Sequence, residues 1–190
     1  MVGKMSTRSA LLDSAEHLAR SRGFDGFSYA DLAREVGIRK PSVHHHFPTK
    51  ADLALGLVQR YRERFVAFLE RLSGEHEDGA SRLTGYLDLY REALSGGEEV
   101  CLCVAFSAGR DSLTPEVLAE VRLFEEAGIA WLTEAFRRGA EDGSIADVDD
   151  PRSEAMAAMA CVEGAQLLAR SAKSVERFDA ATQLLVERVR

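Results

Sequence analysis

An all-α fold is predicted by three observations. Apolar residues recur at three- and four-residue spacing almost everywhere, as in Leu11, Leu12, Ala15, Leu18 and Ala19 or Leu83, Tyr86, Leu87 and Tyr90. No stretch sustains the apolar–polar alternation of a strand. The four prolines, Pro41, Pro48, Pro115 and Pro151, all stand where a helix could begin or a turn end.

These signals predict about nine helices in order, over 7–21, 29–36, 40–46, 50–73, 80–95, 100–111, 115–141, 151–171 and 177–189. Ser28-Tyr29-Ala30-Asp31 reads as a capping box for the second helix, flanked by Phe27 and Leu32 at the spacing of a hydrophobic staple. Thr49, with Asp52 three residues on, offers a cap for the fourth. Thr114-Pro115 and Asp150-Pro151 each join a capping side chain to a proline in the first helical position. Gly23, Gly37, Gly143 and the Gly96-Gly97 pair are stops or turns, and Gly74–Gly79 is a polar link. No flexible linker follows residue 47, so the chain divides into 1–48 and 49–190 at the start of the fourth helix.

The 190 residues suffice for a substantial core. Net charge is −7, but residues 1–53 hold eight Lys/Arg against six Asp/Glu, a balance of +2, so the remainder carries −9. A mildly basic head on an acidic body fits a protein that offers a polyanion one end only. No run of about 20 apolar residues is available for a membrane span. Residues 1–8 are polar and mixed, which predicts a cytoplasmic protein without a secretory signal. Three cysteines, Cys101, Cys103 and Cys161, make an odd count unlike an extracellular disulfide framework.

Two short helices separated by Gly37-Ile38 have the form of a helix-turn-helix, with Gly37 free to take the left-handed conformation the turn needs. Leu32, Ala33, Val36, Val43 and Phe47 would form its core. A helix as short as 40–46 has little stability of its own, so it must be held by its neighbours, with an exposed face left for contact. His44-His45-His46 is not a metal site, because adjacent helical side chains diverge by about 100° and cannot converge on one ion.

The string from Gly37 to Lys50 (Gly-Ile-Arg-Lys-Pro-Ser-Val-His-His-His-Phe-Pro-Thr-Lys), with Ala15, Leu18, Gly23, Phe24, Leu32, Ala33 and Leu53, resembles the N-terminal domain of the TetR family of transcription regulators over residues 8–53. Residues 54–190 resemble the family in helix count, length and layout only. The resemblance implies a three-helix DNA-binding domain followed by a helical domain for ligand binding and dimerisation. It further implies that Lys40, Pro41 and Ser42 face base edges in the major groove, with Pro41 against a thymine methyl, and that His45 shares their helix. His44 stands at a phosphate-gripping position that is usually tyrosine, Lys50 at another phosphate contact, and Ser28 at a third. Arg39 occupies a place where a capping serine or threonine is common, which exchanges a cap for a guanidinium in the groove.

For the body, the resemblance implies that the eighth and ninth helices meet their symmetry mates and set two heads on a palindromic operator. The small Ala155, Ala158, Gly164 and Ala165 of the former and the Phe178, Ala181, Leu184, Leu185 stripe of the latter suit that role. Among the fourth to eighth helices, Tyr86, Tyr90, Cys101, Phe106 and Trp131 are the candidate contacts of a small-molecule effector. Cys101, expected at the start of the sixth helix, is the thiol expected to respond chemically, while Cys161 is expected to be packed. The function implied is a ligand-responsive repressor. A transcriptional activator of the same fold is the alternative, and a thiol- or histidine-dependent enzyme a weaker one. No cofactor, metal or catalytic residue is called for, since the sequence has no Gly-rich phosphate loop, nucleophile elbow or metal-helix motif.

Overall fold

The structure, a computed structural model, describes residues 6–190; the polar start read at residues 1–8 therefore lies, as far as residue 5, outside the described residues. Nine α-helices are present among them: α1 Thr7–Arg22, α2 Tyr29–Val36, α3 Lys40–His46, α4 Lys50–Glu75, α5 Gly79–Glu92, α6 Leu102–Ala108, α7 Pro115–Asp142, α8 Pro151–Ala172 and α9 Val175–Val186. The all-α reading holds: the described residues contain no strand, only an isolated bridge between Ile145 and Val189. No helix among them is long and apolar enough to cross a membrane.

The predicted caps form. The Ser28 hydroxyl accepts from the Asp31 N–H at 3.3 Å, and the Ser28 N–H donates back to the Asp31 carboxylate at 3.0 Å. Thr49 and Asp52 repeat the exchange at the start of α4, at 3.1 and 2.9 Å. Asp150 accepts from the amides of Arg152 and Ser153 ahead of α8. Gly37 ends α2 at φ 75°, ψ 31°, the left-handed geometry that makes the tight turn.

The ninth helix, expected over 177–189, spans 175–186, and two others are clearly shorter than expected. The helix expected over 80–95 stops at Glu92, and a single turn over 95–97 follows, with Gly96 and Gly97 both at positive φ. The helix expected over 100–111 covers 102–108; Gly109 breaks it, and a separate turn spans 110–112. Cys101 therefore precedes α6 and is not in its first turn. Its N–H donates instead to the buried Gln166 side chain at 2.6 Å.

The chain packs as two compact units. One comprises the described residues up to Arg62 together with Leu102–Arg122. Its core holds Leu11, Leu18, Leu32, Val43, Phe47, Leu53 and Phe106. Arg60 of α4 ties to α1 through Asp13 at 2.7 Å and Glu16 at 3.2 Å. The other unit comprises Glu63–Cys101 and Leu123–Arg190. There α8 packs along α9, and α5 approaches α7 so closely that a Cβ on Gly79 would collide with the Gly139 backbone. Arg91 of α5 grips Asp179 of α9 with two hydrogen bonds, at 2.7 and 2.9 Å.

Candidate nucleic-acid interface and candidate effector site

Helix α3 buries one side chain completely, Val43; Phe47 closes the core just beyond it. Arg39, Lys40, Pro41, His44 and His45 are exposed, and Ser42 is half-buried. Arg39 caps α3 by backbone conformation alone, with no side-chain bond to the free amides. The exposed side of a seven-residue helix thus offers a guanidinium, an ammonium, a proline ring and two imidazoles.

Tyr29 holds that helix in place. Its hydroxyl lies 2.9 Å from the Phe47 carbonyl and 2.5 Å from the Thr49 carbonyl, so one buried donor ties the end of α3 to the start of α4. Burial, with the Asp52 carboxylate nearby, pushes its pKa up to about 12, which keeps the donor protonated. The His44 ring packs edge-on against Tyr29 at 4.8 Å. His44 Nδ1 lies 3.2 Å from the Pro48 carbonyl, which fixes Nδ1–H as donor and leaves Nε2 for an outside partner.

Two expected phosphate contacts are otherwise engaged. The Ser28 hydroxyl donates to Asp31 at 2.7 Å and its N–H to the same carboxylate, so both of its donors are committed to the cap. Those bonds, with the one from Arg34, hold the Asp31 pKa below the usual carboxylate range. Lys50 donates to the Phe27 carbonyl at 2.9 Å, and its ammonium lies 4.8 Å and 5.1 Å from the Phe24 and Phe27 ring centres. It remains half-exposed, and an ammonium has three donors, so Lys50 can brace the 24–27 turn and still meet a phosphate. Asp25, 3.9 Å from Lys50, also accepts from Ser112 at 2.8 Å.

In the second unit, Tyr86, Tyr90 and Trp131 come together as expected. The Tyr86 ring lies 4.9 Å from Tyr90 and stacks on Trp131 at 6.0 Å. Phe65 joins them, 6.4 Å from Tyr86 and 4.2 Å from Phe124. Tyr86 is completely buried, and its hydroxyl has no hydrogen-bond partner of good geometry. Burial drives its pKa far above the usual phenol value. The Trp131 N–H is satisfied by the Leu69 carbonyl at 3.0 Å and the Ser73 hydroxyl at 2.7 Å. Phe106 belongs to the first unit, where its ring meets Phe24 at 4.8 Å.

The cysteines depart from expectation. No disulfide joins them. Cys101 and Cys103 are buried, with Cys101 only 1% exposed, whereas Cys161 is the partly exposed one. The Cys161 thiol donates to the Ala181 carbonyl at 3.4 Å, and burial raises its pKa. Exposure and a lowered pKa, the two requirements of a reactive thiol, do not coincide at Cys161, and Cys101 lacks the exposure.

Residues 11–57 match the sequence model of bacterial regulatory proteins of the tetR family. A transcriptional regulator of the TetR family from Agrobacterium tumefaciens is 32% identical to the chain, with a TM-score of 0.89 and 96% of each chain covered. The chain belongs to the TetR family. It is thus a DNA-binding transcriptional regulator, and its relatives are regulators rather than enzymes. The HTH-type transcriptional repressor NemR of Escherichia coli K12 is 27% identical over 182 residues, which are 91% of this chain and 88% of NemR. IcaR of Staphylococcus epidermidis, a negative transcriptional regulator of the biofilm operon icaADBC, is 26% identical over 111 residues, 58% of each chain.

Within this TetR-family chain, three structurally central residues escaped the sequence reading. Tyr29 bonds to carbonyls 18 and 20 positions away, a separation no local motif reports. Gln166 is wholly buried and joins the Cys101 amide to the Tyr90 carbonyl, the latter at 2.8 Å. A signal existed for it: a polar residue on the stripe Ala155, Ala158, Val162, Ala165, Ala169 of α8 falls on the buried face. Glu163, one turn earlier, is half-buried, and burial raises its pKa to about 8; its glutamate identity alone gave no reason to look inward.

Proposed function

We propose that this regulator is a repressor that binds a palindromic operator as a homodimer in the cytoplasm and leaves it when a small molecule enters the helical body. The observation that carries the reading is α3. Its single buried anchor, Val43, and the Tyr29 clamp fix a helix whose remaining side chains are available to DNA. In this reading residues 1–48 are the reading head and 49–190 the sensing and pairing body. Lys40, Pro41 and Ser42 meet base edges, Arg39 and His45 reach into the same groove, and His44 and Lys50 grip phosphates. Likeness to NemR and IcaR, both named as repressors or negative regulators, supports repression over activation.

Pairing through α8 and α9 is supported by their outward faces. Met156, Leu167 and Leu168 of α8 are half-exposed or more, and Leu184 of α9 is 75% exposed. Large apolar side chains exposed on two helices packed against each other are costly to leave in water. Ala158 and Leu185, by contrast, are buried within the chain and belong to its own core. A second copy related by a two-fold axis would cover the outer face and place two α3 helices on successive turns of one side of DNA.

Coupling from body to head runs, in this account, through the segment that packs on the head within the first unit. Ser112 donates to Asp25, Asp25 faces Lys50, and Phe106 packs on Phe24. An effector that displaces residues 102–114 would disturb the 24–27 turn and the start of α4. A gel shift with the DNA that flanks the protein's own gene tests the reading. A retarded dimer complex, dissolved by an effector, is expected; no complex at low salt with any flanking fragment contradicts it.

A further inference from the structure

In its neutral form, His44 has no hydrogen to give a phosphate. Nδ1 lies 3.2 Å from the Pro48 carbonyl, an atom that can only accept, so Nδ1 carries a proton whatever the charge of the ring. A neutral imidazole has a single N–H, and the Pro48 carbonyl takes it. Nε2 is then a bare lone pair on an exposed ring, and a phosphate oxygen is an acceptor too. Only the imidazolium, with a second N–H at Nε2, can donate to a phosphate, and it brings a positive charge as well. No neighbour does this work in its place. From α2 the Tyr29 ring packs edge-on at 4.8 Å, but its hydroxyl hydrogen is committed to the Phe47 and Thr49 carbonyls. The charged groups of the flanking helices are engaged elsewhere: Asp31 of α2 with Ser28 and Arg34, Asp52 of α4 with Thr49, and Lys50 with the Phe27 carbonyl. On α3 and its cap, the cationic and titratable groups are Arg39, Lys40, His45 and His46. No carboxylate among the described residues forms an ion pair with His44.

We propose that His44 makes operator binding a proton-linked event, in which each protomer takes up one proton at Nε2 as the imidazolium closes on a backbone phosphate. It deepens the phosphate role proposed for His44 above and rests on it. The proton comes from solvent on binding and returns there when the DNA leaves; the Nε2–H bond is the only covalent bond made or broken. A tyrosine in the same place would keep an O–H for the phosphate throughout the neutral range, whereas imidazole is the side chain that changes charge between pH 5 and 8. The phosphate favours the charged ring, so the complex holds the proton more tightly than the free protein does. Affinity therefore rises as pH falls through this interval, and levels off once the free protein is protonated as well.

The DNA that flanks the protein's own gene would be titrated with the full chain between about pH 6 and pH 8 at constant ionic strength, because phosphate contacts also respond to salt. Wild type is expected to bind at least ~10-fold more tightly at the acid end than at the alkaline end. His44→Tyr supplies a permanent O–H, and its affinity should change by ~3-fold or less over the same interval. His45→Gln combined with His46→Gln should keep the wild-type dependence on pH, which assigns the proton to His44 and not to the helix at large. Calorimetry of the wild-type chain in two buffers of different ionisation heat counts the protons without any variant, and net uptake near neutral pH is expected. A wild-type affinity flat in pH, a dependence that survives in His44→Tyr, a dependence lost in the His45 and His46 double variant, or no proton uptake would overturn the linkage and leave the operator reading standing. No complex with any flanking fragment, at either end of the interval, would overturn the operator reading and the linkage with it.

Discussion

Helix α3 turns Val43 inward and keeps Lys40, Pro41, His44 and His45 outside, whereas α8 buries Gln166 completely and half-buries Glu163. The polar groups at the helix starts on either side of α3 are satisfied mostly locally, by capping boxes that join residues three apart, with the Tyr29 clamp the one long-range bond. Those around α8 are satisfied over long separations, as with Gln166 and the Tyr90 carbonyl, or not at all, as with Glu163. A rigid, locally finished element suits contact with a fixed partner such as a DNA groove. An interior ordered by contacts between distant segments takes its geometry from the packing of the whole body.

The largest effect of substitution is expected at the outer face of α8 and α9. Leu184→Glu combined with Leu168→Glu should give monomers in sedimentation and lower operator affinity by ~100-fold or more, since two linked heads bind far more tightly than one. An unchanged dimer would move the interface elsewhere. Next, Val43→Ala removes the only fully buried side chain of α3 and should cost about 2 kcal/mol in denaturant unfolding. Tyr29→Phe leaves two carbonyls without their shared donor. A loss of about 1–2 kcal/mol is expected, with operator affinity reduced beyond what stability accounts for; an unaltered affinity would show that the clamp does not position α3.

The body has its own signature in pH. The Glu163 carboxyl has a folded-state pKa near 8, above its ordinary 4.5, so the folded state binds the proton more tightly than the unfolded state. Its contribution to stability is therefore greatest at low pH and is lost as pH rises from about 4.5 to about 8. Thermal melts of Glu163→Gln should lack this component, so the variant gains on the wild type toward pH 8. Parallel melting profiles of the two proteins across that range would contradict the buried, unmatched setting of Glu163.

The same contrast explains what the sequence made legible. Ser28 with Asp31, Thr49 with Asp52 and Asp150 with Pro151 are motifs of two to four residues, and each formed where it was read. Gly37 marked its turn because only a residue without a side chain takes φ 75° at no steric cost. Tyr86, Tyr90 and Trp131 met because aromatic residues on helical stripes are drawn to one core. The commitments of Ser28 and Lys50 were invisible, because a residue type tells what a side chain can bond but not which partner reaches it first. Cys101 was misplaced by two residues of helix start: α6 begins at Leu102, and the Cys101 amide is taken by Gln166. Glu163 was missed because its setting is made by α5, α7 and the chain before α6, all distant in sequence.

Operator titrations across a salt series test whether the outer face of α3 reads base edges while the start of α4 holds the backbone. Wild type, Lys40→Ala and Lys50→Ala would each be measured on the operator and on single-base variants of it. Lys40→Ala should lose about 1–3 kcal/mol of discrimination at one base pair, with the salt slope close to that of the wild type. Lys50→Ala should weaken binding to every sequence alike and lower the salt slope by about one unit. If both variants retain wild-type affinity, discrimination and salt slope, the proposed docking of α3 is wrong.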